Sequence, residues 1–318
     1  MTDLSQPRPA TAPVRRSSGL FGIDLASPRH ARKLGYLLLL PAVLLILGIL
    51  VYPMLLAIEI SFHDVKFATL SFGASEYTLK NYVKLFTSSD FWNAIGVSAK
   101  LLVVVTTISM LVGLGAALLV NQQFRGRGVA RMLIALPWAI PEVVAVITWL
   151  WILDASFGIL NWMLLKLGLI GLPISWLNQP LPAFSAVTMV MVWKGFPFIS
   201  IMILAGLQSI PEEYYQAARV DGANVWKRFI WITLPCLMPV LGVSLVLTVL
   251  WVFRDFSIIN VLTGGGPVGA TETLAIMTYE EAFSFFRMGY ASALGVVTLV
   301  ICALISAFLV KKTSHAVF

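Results

Sequence analysis

Ionisable side chains stand inside long apolar stretches of this chain: Lys100, Glu142, Lys194 and the Arg254-Asp255 pair. A charge in hydrocarbon is costly, so such groups face one another or a wet cavity, and their chemistry is binding and passage rather than bond-making. Glu142 and Lys194 lie at similar depth in their stretches, counted at roughly 1.5 Å per residue. Pro141 and Pro197 stand beside them, and a proline frees backbone carbonyls that can then face water. Two readings stand: an ion pair joining two spans, or two groups lining one pathway. Trp193, Asp255 and Asn260 add an aromatic face and hydrogen-bonding groups of the kind a polyhydroxy solute needs, although aromatics in membrane helices also serve plain packing. Asp255 follows Pro235 by twenty residues, about 30 Å along a helix, which sets it with Arg254 near an outer mouth. Gly264, Gly265, Gly266 and Pro267 come next and fit a loop with an unusual backbone path, either at that mouth or as a tight turn.

Other chemistries are excluded. No Gly-Lys dipeptide occurs, so the chain has no phosphate-binding loop of its own. His30, His63 and His315 are scattered, which argues against a metal site, and no convergent acid/base set suggests an enzyme. Cys236 and Cys302 sit in apolar runs and read as small buried hydrophobes. The net charge of +7 is spread over short flanks without forming a stripe, so nucleic acid is not an expected partner.

The elements that must position these groups are membrane spans. Hydrophobic residues make up 59% of the 318, charged residues 12%, and mean hydropathy is +0.89, beyond what a soluble domain carries. Apolar stretches at about 34–58, 91–120, 132–153, 183–207, 236–259 and 289–310 are each long enough to cross a bilayer. With the N-terminus inside, fourteen Lys and Arg flank the inner ends and five the outer, so both termini are cytoplasmic. Residues 1–31, rich in Pro, Ser, Thr and Arg, read as a disordered cytoplasmic tail, 32–312 as the six-helix domain, and 313–318 as a short cytoplasmic tail. Trp92, Trp149, Trp151, Trp162 and Trp176 cluster near outer span ends, where lipid headgroups favour them. No internal repeat points to an inverted-repeat transporter.

One inner segment, 209–235, is polar and of helical character. Ser209 followed by Glu212 suggests a capping box. Acids come first (Glu212, Glu213) and Arg219 last, as the helix dipole favours. Gly222 permits a bend, Asn224 can cap a second short helix, and Pro235 opens the fifth span. An ordered insert of this kind is either an interfacial anchor or a docking surface for another protein.

The run Gln216-Ala217-Ala218, three residues, Gly222, nine residues and Ile232-Thr-Leu-Pro235 resembles the EAA loop of binding-protein-dependent ABC importer permeases. The family pattern has glutamate where Gln216 stands, so the charge is lost and an acceptor oxygen kept. Leu204-Ala-Gly-Leu-Gln-Ser-Ile-Pro211, Val220-Asp221-Gly222-Ala223, Leu262 to Pro267 with Thr271, Tyr290-Ala-Ser-Ala293, Gly158 with Asn161, and Trp193 are similar to the sugar-permease branch (maltose, glycerol-phosphate and multiple-sugar systems).

The resemblance implies an all-α integral membrane protein of six helices, N-in and C-in, with the MetI-like fold of type I importers. It implies a bacterial inner-membrane location, a second permease, two ATP-binding subunits that hold ATP and Mg, and an extracytoplasmic solute-binding protein. ATPase coupling would fall to Glu212, Glu213, Tyr215, Gln216, Ala217, Ala218, Asp221, Gly222, Ala223 and Pro235. The solute would be a carbohydrate; a polyol, glycerol phosphate, an amino acid or an ATP-independent mechanism are the alternatives.

Overall fold

The computed structural model describes residues 28–65 and 76–317. Residues 1–27 of the expected tail, and Lys66, lie outside them. Two compact units divide the chain, Met1–Leu56 and Ala57–Phe318.

In the first unit, α1 (Pro28–Ile46) runs into a π-helical turn (Leu47–Val51), and α2 (Tyr52–Ser61) continues past the unit's end. Helix therefore begins inside the stretch read as tail, at Pro28 rather than after residue 31. Pro53 stands two residues past the π turn. A proline inside a helix lacks its N–H and its ring crowds the carbonyl four residues back, and a wider turn relieves that conflict.

The second unit holds α3 (Lys80–Thr87), α4 (Ser89–Asn121), α5 (Arg127–Ala139), α6 (Glu142–Ile152), α7 (Ile159–Lys166), α8 (Pro180–Gln208), α9 (Glu212–Val220), α10 (Val225–Arg228), α11 (Leu234–Phe253), α12 (Ser257–Leu262), α13 (Leu274–Tyr279) and α14 (Met288–Val317). No strand occurs among the described residues. Helices suit a bilayer because each one pairs its backbone polar groups within its own segment. The last helix reaches Val317, so residues 313–317 continue it.

Five helical stretches are long and apolar enough to cross a membrane: Tyr36–Ser61, Ser89–Asn121, Pro180–Gln208, Val225–Phe253 and Met288–Thr313. The sixth expected span is two half-helices, α5 and α6, bent by 97°. Pro141 causes the break: it has no N–H to give and forces Ile140 into extended backbone (φ −69°, ψ 134°).

The core lies along α4 and α8. Helix α4 buries Phe91, Ala94, Val97, Ser98, Leu101, Val105, Ser109, Gly113, Ala117 and Val120, one stripe at helical spacing. Val103, Leu111 and Leu119 on its other side are exposed within this chain. Gly113 permits the close approach to α8, because a Cβ there would lie 2.7 Å from Ile199 Cγ2. Around this pair, Val146, Ile258, Ile259, Leu262 and Ile276 complete one apolar cluster, and Ile203, Leu207 and Leu237 a second toward the 209–235 loop. Cys236 departs from its expected burial and is exposed; Cys302 is half-buried, and both are free thiols.

Candidate functional site

The broken span organises the central site. The last carbonyls of α5 have no helical donor, and the Lys194 ammonium on α8 fills that need. It donates to the carbonyl oxygens of Pro137 (3.0 Å), Trp138 (3.3 Å) and Ile140. A cation at a helix C-terminus is also favoured by the helix dipole, as is Glu142 in the first turn of α6. The sequence left a choice between an ion pair and a shared lining, and Lys194 forms no ion pair with Glu142. Ion pairs elsewhere in the described residues include Lys80–Asp64, Arg219–Glu212 and Arg287–Glu281.

Glu142, Lys194 and Asp255 line one cavity of about 360 Å³, with Ser109, Trp138, Gly195, Thr248 and Trp251 among its other walls. Asp255 is not inside a fifth span. Helix α11 ends at Phe253, and Asp255, one residue before the N-cap Phe256 of α12, accepts from the Ile258 N–H at 3.2 Å. The structure does not bring Trp193 or Asn260 to the cavity: Trp193 meets Trp149 edge-on (5.6 Å), and Asn260 sits in α12. Ser109 and Thr248 were missed in the sequence, where a lone hydroxyl in an apolar run carries no signal. Only the packing of α4, α8 and α11 brings them together.

At the outer end, Gly264 (φ +57°) and Gly265 (φ +87°) take left-handed backbone that other residues adopt only at a cost. Thr271 Oγ1 lies 2.7 Å from the Gly266 carbonyl and 2.7 Å from Thr263 Oγ1, which closes the Gly264–Pro267 loop. The loop is thus a folded unit pinned to the end of α12.

In the 209–235 loop, the structure departs from the expected capping box. Ser209 ends α8, its hydroxyl donating to the Gly206 carbonyl (2.8 Å), while α9 starts after Pro211 with no side-chain cap. The pre-set φ of Pro211 makes the start instead. At the far end the Gly222 N–H bonds the Arg219 carbonyl (3.1 Å) and the Ala223 N–H bonds the Ala218 carbonyl (2.8 Å). These two bonds form a Schellman motif, which needs positive φ at Gly222 (+72°). Asn224 caps α10 as expected, accepting from the Lys227 N–H at 2.9 Å.

Helix α10 is not a free second helix. It runs through a π turn, Phe229–Thr233, into α11, and Pro235 lies just beyond that turn, as Pro53 does after its own. The span therefore starts at Val225, well before Pro235. The Tyr215 hydroxyl lies 3.0 Å from Thr233 Oγ1 and ties α9 to the π turn. Glu213, Gln216, Ala217, Asp221 and Gly222 are exposed; Ala218 and Ala223 are half-buried, and Glu212 pairs with Arg219 at 3.3 Å on the surface.

The chain is thus a helical bundle with a bent helix pair at its centre and a structured loop between α8 and α11. Residues 109–311 match the family described as binding-protein-dependent transport system inner membrane component, and the chain belongs to that family. It is 38% identical over 273 residues to the trehalose/maltose transport system permease protein MalF of Thermococcus litoralis, covering 85% of this chain and 90% of that one. It is 36% identical over 276 residues to the sulfoquinovosyl glycerol transport system permease protein SmoG of Agrobacterium fabrum, covering 87% and 89%. Its fold matches a chain of a bacterial ABC transporter involved in the import of the acidic polysaccharide alginate: TM-score 0.77, 26% identity, 90% of this chain and 96% of that one. The same match holds, at TM-score 0.74, for that transporter in complex with its alginate pentasaccharide-bound periplasmic protein.

Proposed function

We propose that this chain is one permease half of an ATP-driven importer of a carbohydrate, and that the 209–235 loop receives the stroke of an ATP-binding subunit. The observation that carries the coupling is the joint at Gly222. Helix α9 presents an exposed face, including Tyr214 and Val220, while Tyr215 fastens it to the base of α11. A push on α9 then turns α11 as one body, and α11 lines the cavity with Thr248 and Trp251. A second permease would complete the pathway, and two ATP-binding subunits would supply ATP and Mg. An extracytoplasmic solute-binding protein would deliver the solute near the Gly264–Pro267 loop. Contact at Gln216 would work through shape and neutral hydrogen bonding. The carbohydrate class is supported by the names of the relatives and by a cavity walled with tryptophan faces and hydroxyls.

The test is reconstitution of the full complex with the Gly222→Val permease. Transport and solute-stimulated ATPase activity are expected to fall together, while basal ATPase activity of the isolated ATP-binding subunits is unchanged. Retention of both in the variant complex would refute the coupling. A thermal-shift screen of the partner solute-binding protein against sugars, polyols, glycerol phosphate and amino acids tests the solute class.

A further inference from the structure

A second cavity, of about 880 Å³, opens at the cytoplasmic end of the bundle, where α4 and α8 finish and α5 and α9 begin. Its volume suits a small ligand or a headgroup. The charged groups of its lining are Arg127, Arg219, Arg228 and Glu212. Glu212 is matched by Arg219 at 3.3 Å. Arg127 and Arg228 have no carboxylate partner among the described residues, and Arg228 Nε is buried without a hydrogen-bond partner there. Two helix C-termini and two helix N-termini meet at the cavity, each worth about half a charge, so the helix dipoles offset one another. Two guanidinium charges are left over, and nothing acidic in the lining matches them.

The rest of the wall is mixed. Asn121 and Gln208 offer amide donors, while Leu118, Leu207 and Phe229 are apolar. Close to Arg228 in the chain, Trp226 and Trp231 are 73% and 77% exposed, at the start of the span Val225–Phe253. Tryptophans at a span end favour headgroup depth, which sets Arg228 there too.

We infer that this cavity binds the phosphate of an anionic phospholipid from the inner leaflet, held by Arg127 and Arg228. Guanidinium forks match phosphate oxygens, and basic cavities between helices on the cytoplasmic side suit such headgroups. A soluble phosphate would satisfy the arginines equally, but the apolar wall and the headgroup depth favour a ligand with acyl chains. An acidic group of a docked subunit fits less well. Helix α9 turns Glu212, Tyr215 and Arg219, one face at i, i+3 and i+7, to the cavity, and leaves Tyr214 and Val220 exposed on other faces. A lipid held there sits between α9 and the ends of α4 and α5 and steadies the loop. Such binding requires only that the loop faces the cytoplasm, whichever subunit docks on α9.

The experiment follows backbone hydrogen exchange of 212–229 in the assembled importer, in nanodiscs of phosphatidylcholine with increasing phosphatidylglycerol. Phosphatidylglycerol should slow exchange several-fold and saturate, and inorganic phosphate added to pure phosphatidylcholine discs should not slow it. In Arg127→Gln/Arg228→Gln the lipid fraction needed for half the effect should rise about tenfold or more. Arg125→Gln, at an exposed arginine outside the cavity, should respond as the unaltered importer does. Equal exchange in both lipids for the unaltered importer would overturn the inference, and needs no variant to fold. Slowing by inorganic phosphate with no response to phosphatidylglycerol would overturn it in favour of a soluble phosphate. Loss of the ATP-binding subunits from the double variant, with no lipid effect in the unaltered importer, would overturn it in favour of an acidic group of that subunit.

Discussion

Asn161 shows how much one side chain holds in place. It is 3% exposed, its carbonyl oxygen accepts from the Ile174 N–H (3.1 Å) and Trp176 Nε1 (3.0 Å), and its amide donates to the Ile174 carbonyl (2.9 Å) and, at 3.3 Å, to that of Ala155. Asn161→Ala strips these groups of their partner inside the protein and should cost about 2–4 kcal/mol, seen as a lower melting midpoint of the purified permease. Asn178→Ala, at an exposed asparagine bonded to Ser175, should leave the midpoint within about 0.5 kcal/mol of the parent. In the sequence, Asn161 was legible only through the family resemblance, because its four partners come from the loop segments on either side of α7. Lys194 and Glu142 were legible as two charges at similar depth in apolar stretches. Their division of labour was not, since it depends on which carbonyls the Pro141 break leaves open.

Between α9 and α11 the decisive feature is the Schellman bend. A Cβ on Gly222 would meet nothing within 4 Å, so the objection to a side chain there is the φ of +72° alone. Valine should therefore cost about 1–3 kcal/mol of local strain and break the bend. Asparagine, which visits this region readily, should keep it. Comparing transport by Gly222→Val and Gly222→Asn separates backbone geometry from lost docking area, since Asn adds more bulk than the glycine and yet should work. Equal loss in both would place the fault in crowding against a partner. The polar helix, its dipole-matched charges, the glycine and the Asn224 cap were all readable from residue type and spacing. The capping box was not, because Ser209 has two uses and Pro211 already fixes where α9 starts. Nor was the continuity of α10 with α11, which a π turn ahead of Pro235 allows and simple helical spacing hides.

On the scale of the whole chain, the two faces of the membrane differ in chemistry. Between α12 and α14 three carboxyls are raised above the ordinary 4.5, in each case chiefly by burial: Glu272, Glu280 and Glu281. Neighbouring carboxylates push Glu272 and Glu280 further up, while Arg287 (3.2 Å) and Lys84 partly hold Glu281 down. The folded state then holds these protons more tightly than the unfolded chain does. Their contribution to stability is full below the ordinary value and is lost as pH rises through it and through the raised folded values. Backbone hydrogen exchange of 272–287, corrected for its intrinsic pH dependence, should be slower at acid pH than at neutral, and Glu272→Gln should flatten the difference. Orientation is tested by labelling. With Cys236 and Cys302 replaced, a cysteine at Val268 (96% exposed) should react with an impermeant maleimide in intact cells. One at Val220 (88% exposed) should react only after permeabilisation. Reaction of both from one side would contradict the N-in topology.

By itself the sequence determined the class of protein: six apolar stretches, the basic flanks that orient them, and a docking-like loop whose spacing survives in any register of the bundle. These are local properties, set by hydrophobic length, charge and a glycine's freedom. Only the tertiary structure decided that the proline break in the third stretch turns it by 97°, and that Asp255 joins Glu142 and Lys194 along one cavity while Trp193 and Asn260 do not. Which side chains meet across helices depends on rotation and crossing of α4, α8 and α11, and those are fixed by packing at contacts such as Gly113 against Ile199, which no one-dimensional pattern encodes.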